Sequence, residues 1–370
     1  MTATPDFKPT IIDLFSGAGG TALGFLQAGY RIVAAVEIDT WAAKTYEANI
    51  GVTPIVRDIR DIPPTDFRKS LDLEEGELDV LVGCPPCQGF TRMRNGNGKD
   101  DPRNELVRVY GHFVIAFRPR FVVFENVPGL IRTHHGKTYH AALKSQLEKA
   151  GYAIRTFLVD AADFGVPQHR KRVIVLAGRD GEVPPDLMSA RTHGEPNSPE
   201  VRTGRLLRWR TVRDAIGGYP ALRAGEKFEG LFHGKPLPNH TARRMGGRVL
   251  SFIAQVPQDG GSRTDVEERF WLACHQKHGG HKDVYGRLKW DEPANVITSG
   301  CTNVSKGRFA HPEQNRGLTP REAAALQGFP DDFIFYGGME AVSRQIGNAV
   351  PPPLAYAIAR LLKLRLLVKK

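Results

Sequence analysis

Short apolar segments alternate with longer helix-like segments through the first half of the chain. Parallel strands are buried on both faces, so they occur in a sequence as short, nearly continuous apolar runs separated by crossover helices. The runs of this kind are 10–15, 31–36, 55–56, 77–81, 120–124, 152–159 and 172–177. The alternation predicts an α/β fold with a mostly parallel sheet, whose ligands gather at the carboxyl ends of the strands.

A glycine-rich turn, Ser16–Gly20, follows the first predicted strand and leads into a helix predicted from about Thr21 to Ala28. Backbone N–H groups of such a turn, with the N-terminus of the helix, form a nucleotide-type cradle. The spacing Gly17-x-Gly19-x-x-Ala22 fits the dinucleotide fingerprint with alanine in the last place. NAD and S-adenosylmethionine both fit at this point, and a purely structural turn between strand and helix is the simpler alternative.

Three successive strand ends carry polar or aromatic side chains: Phe15, Glu37 and Asp58. Glu37 is placed to accept hydrogen bonds from both hydroxyls of a ribose, and Asp58 could accept one from an adenine amino group. Each residue alone could simply terminate its strand. Their convergence at one sheet edge favours a ligand site.

A cysteine, Cys87, follows the fourth predicted strand, behind two prolines and ahead of a polar loop from Gln88 to Asp101. A rigidly held cysteine at a strand end, beneath a loop that could close over it, indicates a nucleophile. Cys84 and Cys87 also have the spacing of a redox or zinc pair, although no matching pair of zinc ligands lies nearby. Both could instead be ordinary buried cysteines, and this segment alone does not decide among these alternatives.

Further charged groups are predicted at the same sheet edge. Glu125 ends the fifth strand, where a carboxyl group beside a thiol could hold a substrate and exchange a proton. Arg170 and Arg172 alternate in an extended segment, so they are predicted to point the same way and to suit phosphate or carbonyl oxygens. A solvated basic turn is the alternative.

The chain has 370 residues with a net charge of +11, which favours nucleic acid as a partner. Four cysteines indicate a reducing compartment rather than a disulfide framework. The first residues have no signal-peptide pattern, and no apolar run approaches a membrane span. From Arg179 to Lys289 the periodicity weakens and 19 Lys and Arg stand against 13 Asp and Glu, which predicts a second, loop-rich basic region. Cys274, His275, His278 and His281 could suggest zinc, but their spacing lacks a matching second pair.

Regular structure is predicted again near the end of the chain. Thr319 as N-cap, Pro320 in the first turn and Glu322 at the third position predict a helix. A last helix is predicted after Pro351–Pro353, with an apolar stripe that includes Leu354 and Ile358.

Together these segments resemble the DNA (cytosine-5) methyltransferase family, of bacterial restriction-modification or orphan type. The similar motifs occur in the order of that family, from about residue 10 to 365 but not between about 180 and 280. They are Asp13–Gly20, Glu37–Asp39, Pro85–Gln88, Glu125–Val127, Gln168–Arg172, Arg321–Pro330 and Gly347–Val350.

The resemblance implies a doubly wound, mostly parallel methyltransferase sheet with a second, smaller target-recognition domain. It assigns 1–178 to the catalytic and cofactor-binding domain and 179–310 to target recognition. A returning segment, 311–370, would complete the catalytic domain.

The resemblance also implies the reaction: methylation of carbon 5 of a flipped cytosine in a specific duplex DNA sequence, through a covalent Cys87 adduct. Three further catalytic residues are implied: Glu125 as a donor to ring N3, Arg172 to hold the carbonyl on carbon 2, and Arg170 to brace the site or loop. Cys84 would be an incidental neighbour. The residues implied to bind S-adenosylmethionine are Phe15, Ser16, Gly17, Gly19, Gly20, Glu37, Ile38, Asp58, Ile59, Pro86, Leu106, Asn348 and Ala349.

Several expectations follow for partners and rivals. Double-stranded DNA is the expected partner, without metal or membrane, for a monomer in the bacterial cytoplasm or nucleoid. A lid is expected from Gln88 to Arg103, with Arg92 and Arg94, and sequence recognition between 180 and 290. A tRNA cytosine-5 methyltransferase is the alternative within the family. An NAD-dependent oxidoreductase or a non-catalytic DNA-binding module would leave Cys87 without a role.

Overall fold

The computed structural model describes residues 7–86, 101–272 and 283–368. Its strands are β1 (Thr10–Leu14), β2 (Arg31–Glu37), β3 (Ile55–Val56), β4 (Val80–Gly83), β5 (Phe121–Asn126), β6 (Ala153–Asp160), β7 (Lys171–Gly178), β8 (His193–Gly194), β9 (Leu207–Arg208), β10 (Leu231–Phe232) and β11 (Lys235–Pro236). Its α-helices are α1 (Gly20–Gln27), α2 (Thr40–Ile50), α3 (Pro64–Ser70), α4 (Leu106–Phe117), α5 (Gly129–Arg132), α6 (His134–Lys149), α7 (Pro199–Arg202), α8 (Val212–Ile216), α9 (Gly247–Gln255), α10 (Pro320–Leu326), α11 (Met339–Asn348) and α12 (Pro352–Val368).

The described chain forms two compact units. The first contains the chain up to Asp160, Lys171–Arg191 and the chain from Pro352 onward; the second contains Ala161–Arg170 and Thr192–Pro351. The segment expected to return to the catalytic domain is therefore divided, because 311–351 lies in the second unit.

The first unit is built on a seven-stranded sheet in the order β3-β2-β1-β4-β5-β7-β6. β7 runs antiparallel to both β5 and β6, and the other pairs are parallel. One face carries a continuous apolar core in which α4 and α6 pack on the central strands. The predicted α/β fold with a mostly parallel sheet is confirmed.

On the first unit's sheet, α1 packs against α12, and the contact depends on one glycine. A Cβ added at Gly24 would lie 2.5 Å from the backbone nitrogen of Tyr356 and 2.6 Å from the carbonyl of Pro352. The hydroxyl of Tyr30 donates to the carbonyl of Ala359 at 3.0 Å. Only glycine at position 24 lets α1 and α12 approach so closely.

The second unit contains little regular structure, since its strands are two residues long. Several arginine side chains are fully buried in it: Arg170, Arg287, Arg316 and Arg321. Arg287 donates to the carbonyls of Ile253, Val256, His311 and Gln314 and to the side chain of Asn315. The predicted capping box of α10 is present, with Thr319 and Glu322 each accepting from the other's backbone N–H.

Candidate active site

The turn after β1 has backbone angles that explain its glycines. Phe15, Gly17 and Gly19 have φ of 58°, 54° and 93°, in the left-handed region. A Cβ at Gly19 would meet Ile50 at 2.9 Å and Tyr46 at 3.0 Å. For Phe15, which is not glycine, this conformation costs about 1–2 kcal/mol, which the surrounding contacts must offset. Ser16 is buried in the same turn, and Gly20 begins α1.

Glu37 connects the end of β2 to this turn. One carboxylate oxygen accepts from the backbone N–H of Gly17 at 2.7 Å, and the other accepts from Ile38 and Asp39 at 2.9 and 2.8 Å. Burial raises the pKa of Glu37 above its ordinary value, while these three donors oppose the rise. The carboxylate is thus held in place beside the glycine turn, with lone pairs left for a ligand.

The other first-unit residues implied in cofactor binding differ in accessibility. Asp58 caps the short helix Ile59–Asp61 and pairs with Arg60, which lowers the pKa of Asp58. Ile38 is 63% exposed, whereas Ile59 and Leu106 are 4% and 8% exposed because both belong to the apolar core. Of these three apolar residues, Ile38 therefore has the most surface to offer a ligand.

The segment that leads to Cys87 is fixed by the strands around it. The Asn126 side chain, at the end of β5, donates to the carbonyl of Pro85 at 3.2 Å, and the backbone N–H of Cys84 donates to Leu14. Pro86 is half-buried and is the last residue described before a gap. Cys87 itself, and most of the expected lid with Arg92 and Arg94, lie outside the described residues.

Cys84 is unsuited to be a nucleophile. Burial raises the pKa of its thiol well above the ordinary range, and the carboxylates of Glu125 and Asp13 add to the rise. The thiol is therefore protonated at neutral pH, whereas nucleophilic attack requires the thiolate.

Glu125 and Arg172 form an ion pair at the sheet edge where β4 also ends. The guanidinium Nε of Arg172 lies 2.8 Å from a carboxylate oxygen of Glu125, and both side chains are largely buried. Gly83 of β4 pairs with Phe124 of β5, so Glu125 lies beside the start of the Cys84–Pro86 segment. A carboxyl group and a guanidinium are thus available together for a polar substrate.

Asp13 is a buried acid that the sequence interpretation did not assign to any role. It lies in β1 with no exposed surface, and neither carboxylate oxygen has a hydrogen-bond partner among the described residues. Burial raises the pKa of Asp13 to about 8, and the nearby Glu37 adds to the rise, while the Tyr46 hydroxyl opposes it. The feature of the sequence that marks Asp13 is its position as an acidic residue inside an otherwise apolar strand.

Arg170 does not share the partners of Arg172. It precedes β7, is 2% exposed, and donates to the carbonyls of Ile297, Gly347 and Ala349. The prediction that the two side chains point the same way is therefore wrong, because Arg172 pairs with Glu125. Arg170 braces backbone within the second unit, which agrees with the bracing role that the resemblance implied.

Arg170 supports the end of α11, where Asn348 is exposed and Ala349 is buried. A Cβ at Gly347 would lie 2.1 Å from the backbone of Thr298, so this packing requires glycine. The second unit thus presents Asn348 on a rigid support.

Polar groups thus lie at the carboxyl ends of β1, β2, β4 and β5, and comparison with known protein families gives a matching result. A family model described as C-5 cytosine-specific DNA methylase matches residues 9–364. The chain belongs to this family. It is therefore a DNA (cytosine-5) methyltransferase, as its motifs predicted, and not an NAD-dependent oxidoreductase.

Methylases of the same family resemble the chain over most of its length. Type II methyltransferase M1.HphI of Haemophilus parahaemolyticus is 38% identical over 95% of this chain and 85% of its own length. Type II methylase M.HgiDII of Herpetosiphon aurantiacus is 32% identical over 95% of this chain and 94% of its own. The solved structure of S. pombe Dnmt2 methyltransferase, 18% identical over 97% of this chain and 99% of that one, has the same fold with a TM-score of 0.63.

The described residues were expected to contain neither a metal site nor a membrane-spanning helix. Across residues 7–86, 101–272 and 283–368, no group of three or more His, Cys, Asp or Glu side chains is placed to hold a metal ion. The Cys274–His281 cluster lies outside these ranges. No helix in the same ranges is long and apolar enough to cross a bilayer.

Proposed function

We propose that this methylase transfers a methyl group to carbon 5 of a cytosine flipped out of duplex DNA, with Cys87 as the nucleophile. The observation that carries the proposal is the buried Glu125–Arg172 pair beside the Cys84–Pro86 segment that leads into Cys87. A target base inside a duplex cannot reach a buried pair, so the base has to be extruded, at a cost of a few kcal/mol.

The chemistry explains these residue types. Carbon 5 of cytosine is a poor nucleophile, so the Cys87 thiolate attacks carbon 6 and forms an S–C6 bond that makes carbon 5 electron-rich. Glu125 takes up a proton when the base binds and, in that acid form, donates to ring N3. Arg172 donates to the carbonyl oxygen on carbon 2, where negative charge develops. After methylation a base removes the proton from carbon 5, the S–C6 bond breaks and Cys87 leaves as thiolate. Arg170 contributes by bracing backbone.

The residues of the glycine turn suit S-adenosylmethionine, which supplies an electrophilic methyl group when bound. Gly17 has open space where a Cβ would stand, Gly19 lets the turn pack closely on Ile50, and Glu37 is held with free lone pairs for ribose hydroxyls. Around them Phe15, Ser16, Gly17, Gly20, Ile38, Asp58 and Pro86 would complete the first unit's share, with backbone contributions from Ile59 and Leu106. Asn348 and Ala349 are the proposed share of the second unit.

The proposed biological setting follows from charge and composition. The net charge of +11 suits double-stranded DNA as partner, and four cysteines suit a reducing cytoplasm. We place catalysis in residues 1–178, target recognition in 179–310 and a completing segment in 311–370. The enzyme would act as a monomer, since Cys87, Glu125 and Arg172 all belong to one copy of the chain.

The test is a covalent adduct with duplex DNA that carries 5-fluorocytosine at the methylated site. Fluorine cannot leave as the proton does, so the wild-type protein with S-adenosylmethionine should form a complex stable to denaturant. Cys87→Ala protein should form none, and Cys84→Ala protein, the matched control, should form it normally. An adduct with Cys87→Ala would overturn the assignment. A parallel incubation with tRNA distinguishes the alternative substrate.

A further inference from the structure

A two-stranded hairpin projects from the second unit between residues 227 and 241. At its tip β10 and β11 pair antiparallel, Leu231 with Pro236 and Phe232 with Lys235. The two residues between them, His233 and Gly234, have φ of 49° and 76°. Positive φ at both positions is the requirement of a type I′ turn, which matches the twist of a tight hairpin.

The base of the hairpin is fixed by backbone pairing and buried polar contacts. Lys227 and Thr241 form an antiparallel bridge, and the N–H of Phe228 donates to the carbonyl of His240 at 3.0 Å. His240 is 1% exposed, and its two ring nitrogens lie 3.1 Å from the hydroxyl of Thr319 and 2.9 Å from the carbonyl of Pro220. The hairpin therefore begins and ends on a rigid support.

A column of aromatic rings continues from the base toward the tip. Tyr219 packs edge-on against Phe232 at 5.3 Å and against His240 at 5.7 Å, and Phe228 meets His240 at 6.0 Å. Phe232 in turn contacts the ring of His233 at 4.1 Å. These contacts hold the tip in place without covering it.

The tip itself is free. Leu231 is 67% exposed, and His233 and Lys235 are also exposed. Within the described residues, the side chain of Lys235 has no hydrogen bond or ion pair, whereas the side chain of Lys227 at the base pairs with Glu229 at 3.2 Å. The tip thus carries the ammonium group of Lys235, the imidazole of His233 and the apolar side chain of Leu231. Hydrogen-bond donors and apolar groups of this kind are what a protein uses to contact base edges.

We propose that this hairpin enters the major groove of the substrate DNA and that His233 and Lys235 are specificity-determining residues. The major groove admits a two-stranded β-ribbon, and each base pair presents a distinct pattern of donors and acceptors there. A lysine ammonium donates to the O6 and N7 of guanine, and an exposed leucine suits a thymine methyl. Fixing the hairpin before binding avoids an ordering cost at the moment of recognition. The inference rests on duplex DNA being the substrate.

The experiment selects bound sequences from a library of duplex DNA with a random core, in the presence of S-adenosylhomocysteine. Wild-type protein should enrich one motif. His233→Ala and Lys235→Ala should each lose preference at one or two positions of that motif, by about 10-fold or more, because a lost base contact relaxes only its own position.

Lys227→Ala is the matched control, since it removes the same charge from the same hairpin at its base, where Glu229 already pairs with it. It should retain the motif of the wild-type protein. If the motif is unchanged in all three variants, or if each variant weakens every sequence equally, the hairpin does not read bases.

Selection by binding keeps this inference separate from the proposed chemistry, because it requires no methyl transfer. Failure of the Cys87 adduct would leave the selection result intact. Wild-type protein that enriches no sequence would overturn the hairpin proposal whatever the adduct shows. Thermal unfolding of each variant verifies that the second unit is folded.

Discussion

The two units satisfy their buried backbone groups in different ways. In the first, seven strands pair with one another, so carbonyls and N–H groups are bonded within the sheet and the core is mostly apolar, with Asp13 as an exception. In the second, strands of two residues leave many carbonyls without a ladder, and buried guanidinium groups bind them instead. Because buried backbone polar groups must be paired, a loop-rich unit needs side-chain donors where a sheet does not.

This contrast predicts opposite effects for buried charges in the two units. In the second unit, buried charged side chains bind backbone carbonyls or each other, so their removal should destabilise the protein. In the first, the buried acid Asp13 has no cationic partner among the described residues, and its burial outweighs the favourable effect of the Tyr46 hydroxyl, so its removal should stabilise.

The largest effect is expected for Arg287→Ala. The change leaves the carbonyls of Val256 and His311 and the Asn315 side chain without their arginine donor, whereas the carbonyls of Ile253 and Gln314 each keep a backbone N–H. Each unsatisfied group costs about 1–3 kcal/mol, so a loss of roughly 4 kcal/mol is expected. Urea unfolding should show this as a lower midpoint. Arg213→Ala, which removes an exposed arginine paired with Asp291, is the control and should leave the midpoint unchanged. Equal shifts for the two variants would contradict the comparison.

The next effect is expected at Glu322, which pairs with Arg316 at 2.6 Å. Burial alone would raise the pKa of Glu322, but the charge and hydrogen bonds of Arg316 outweigh it and lower the pKa to about 2. The pair therefore contributes stability above the ordinary pKa of about 4.5, and loses it as the pH falls toward 2. Glu322→Gln should cost roughly 3 kcal/mol at pH 7 and little near pH 2.

Measurement of the free energy of unfolding of Glu322→Gln and wild-type protein between pH 2 and 7 tests this. Their stability difference should shrink as the pH falls. A difference that stays constant across this range would mean that the ion pair is not the source of stability.

The smallest effect, and the only gain, is expected for Asp13→Asn. The pKa of Asp13 is about 8 in the folded protein and about 4 in the unfolded chain, so the folded protein holds a proton that the unfolded chain releases. Stability therefore falls as the pH rises from 4 to 8, by at most about 5 kcal/mol for a pKa difference of about 4, and relaxation and water penetration around the charged carboxylate reduce this loss. The asparagine variant escapes the loss, so it should gain roughly 2 kcal/mol at pH 8. Thermal unfolding at pH 5, 6.5 and 8 should show the variant's advantage growing with pH, while Asp66→Asn, an exposed control, shows none. An advantage independent of pH would point to packing instead.

The first unit was largely predictable, because its strands are apolar runs and its ligand groups follow them directly. Glu37 and Glu125 could be placed at strand ends by local pattern alone. In the second unit, local pattern was sufficient only for the capping box of Thr319 and Glu322. Asp13 was missed because burial without a partner depends on what packs over β1, which no local pattern records.

The second unit was less predictable, because a buried arginine and a solvated one look identical in a sequence. Arg263 and Arg287 lie in the basic region from 179 to 289, yet both are buried. Both therefore count toward the net positive charge of this region, although neither is available to contact a DNA backbone. The side chain of Lys235 is exposed and has no ion pair among the described residues, so it is available to DNA, and only the structure distinguishes it from the buried arginines.

The close contact of α1 with α12 has a consequence for biosynthesis. Tyr30 and its acceptor Ala359 are 329 residues apart. Ribosomes add roughly 5–20 residues per second, so α12 is synthesised on the order of half a minute after α1. During that interval the strands up to β7 and the whole stretch 192–351 have already been translated. The surface of α1 around Gly24 is then open to chaperones, and the first unit, although begun first, is finished last.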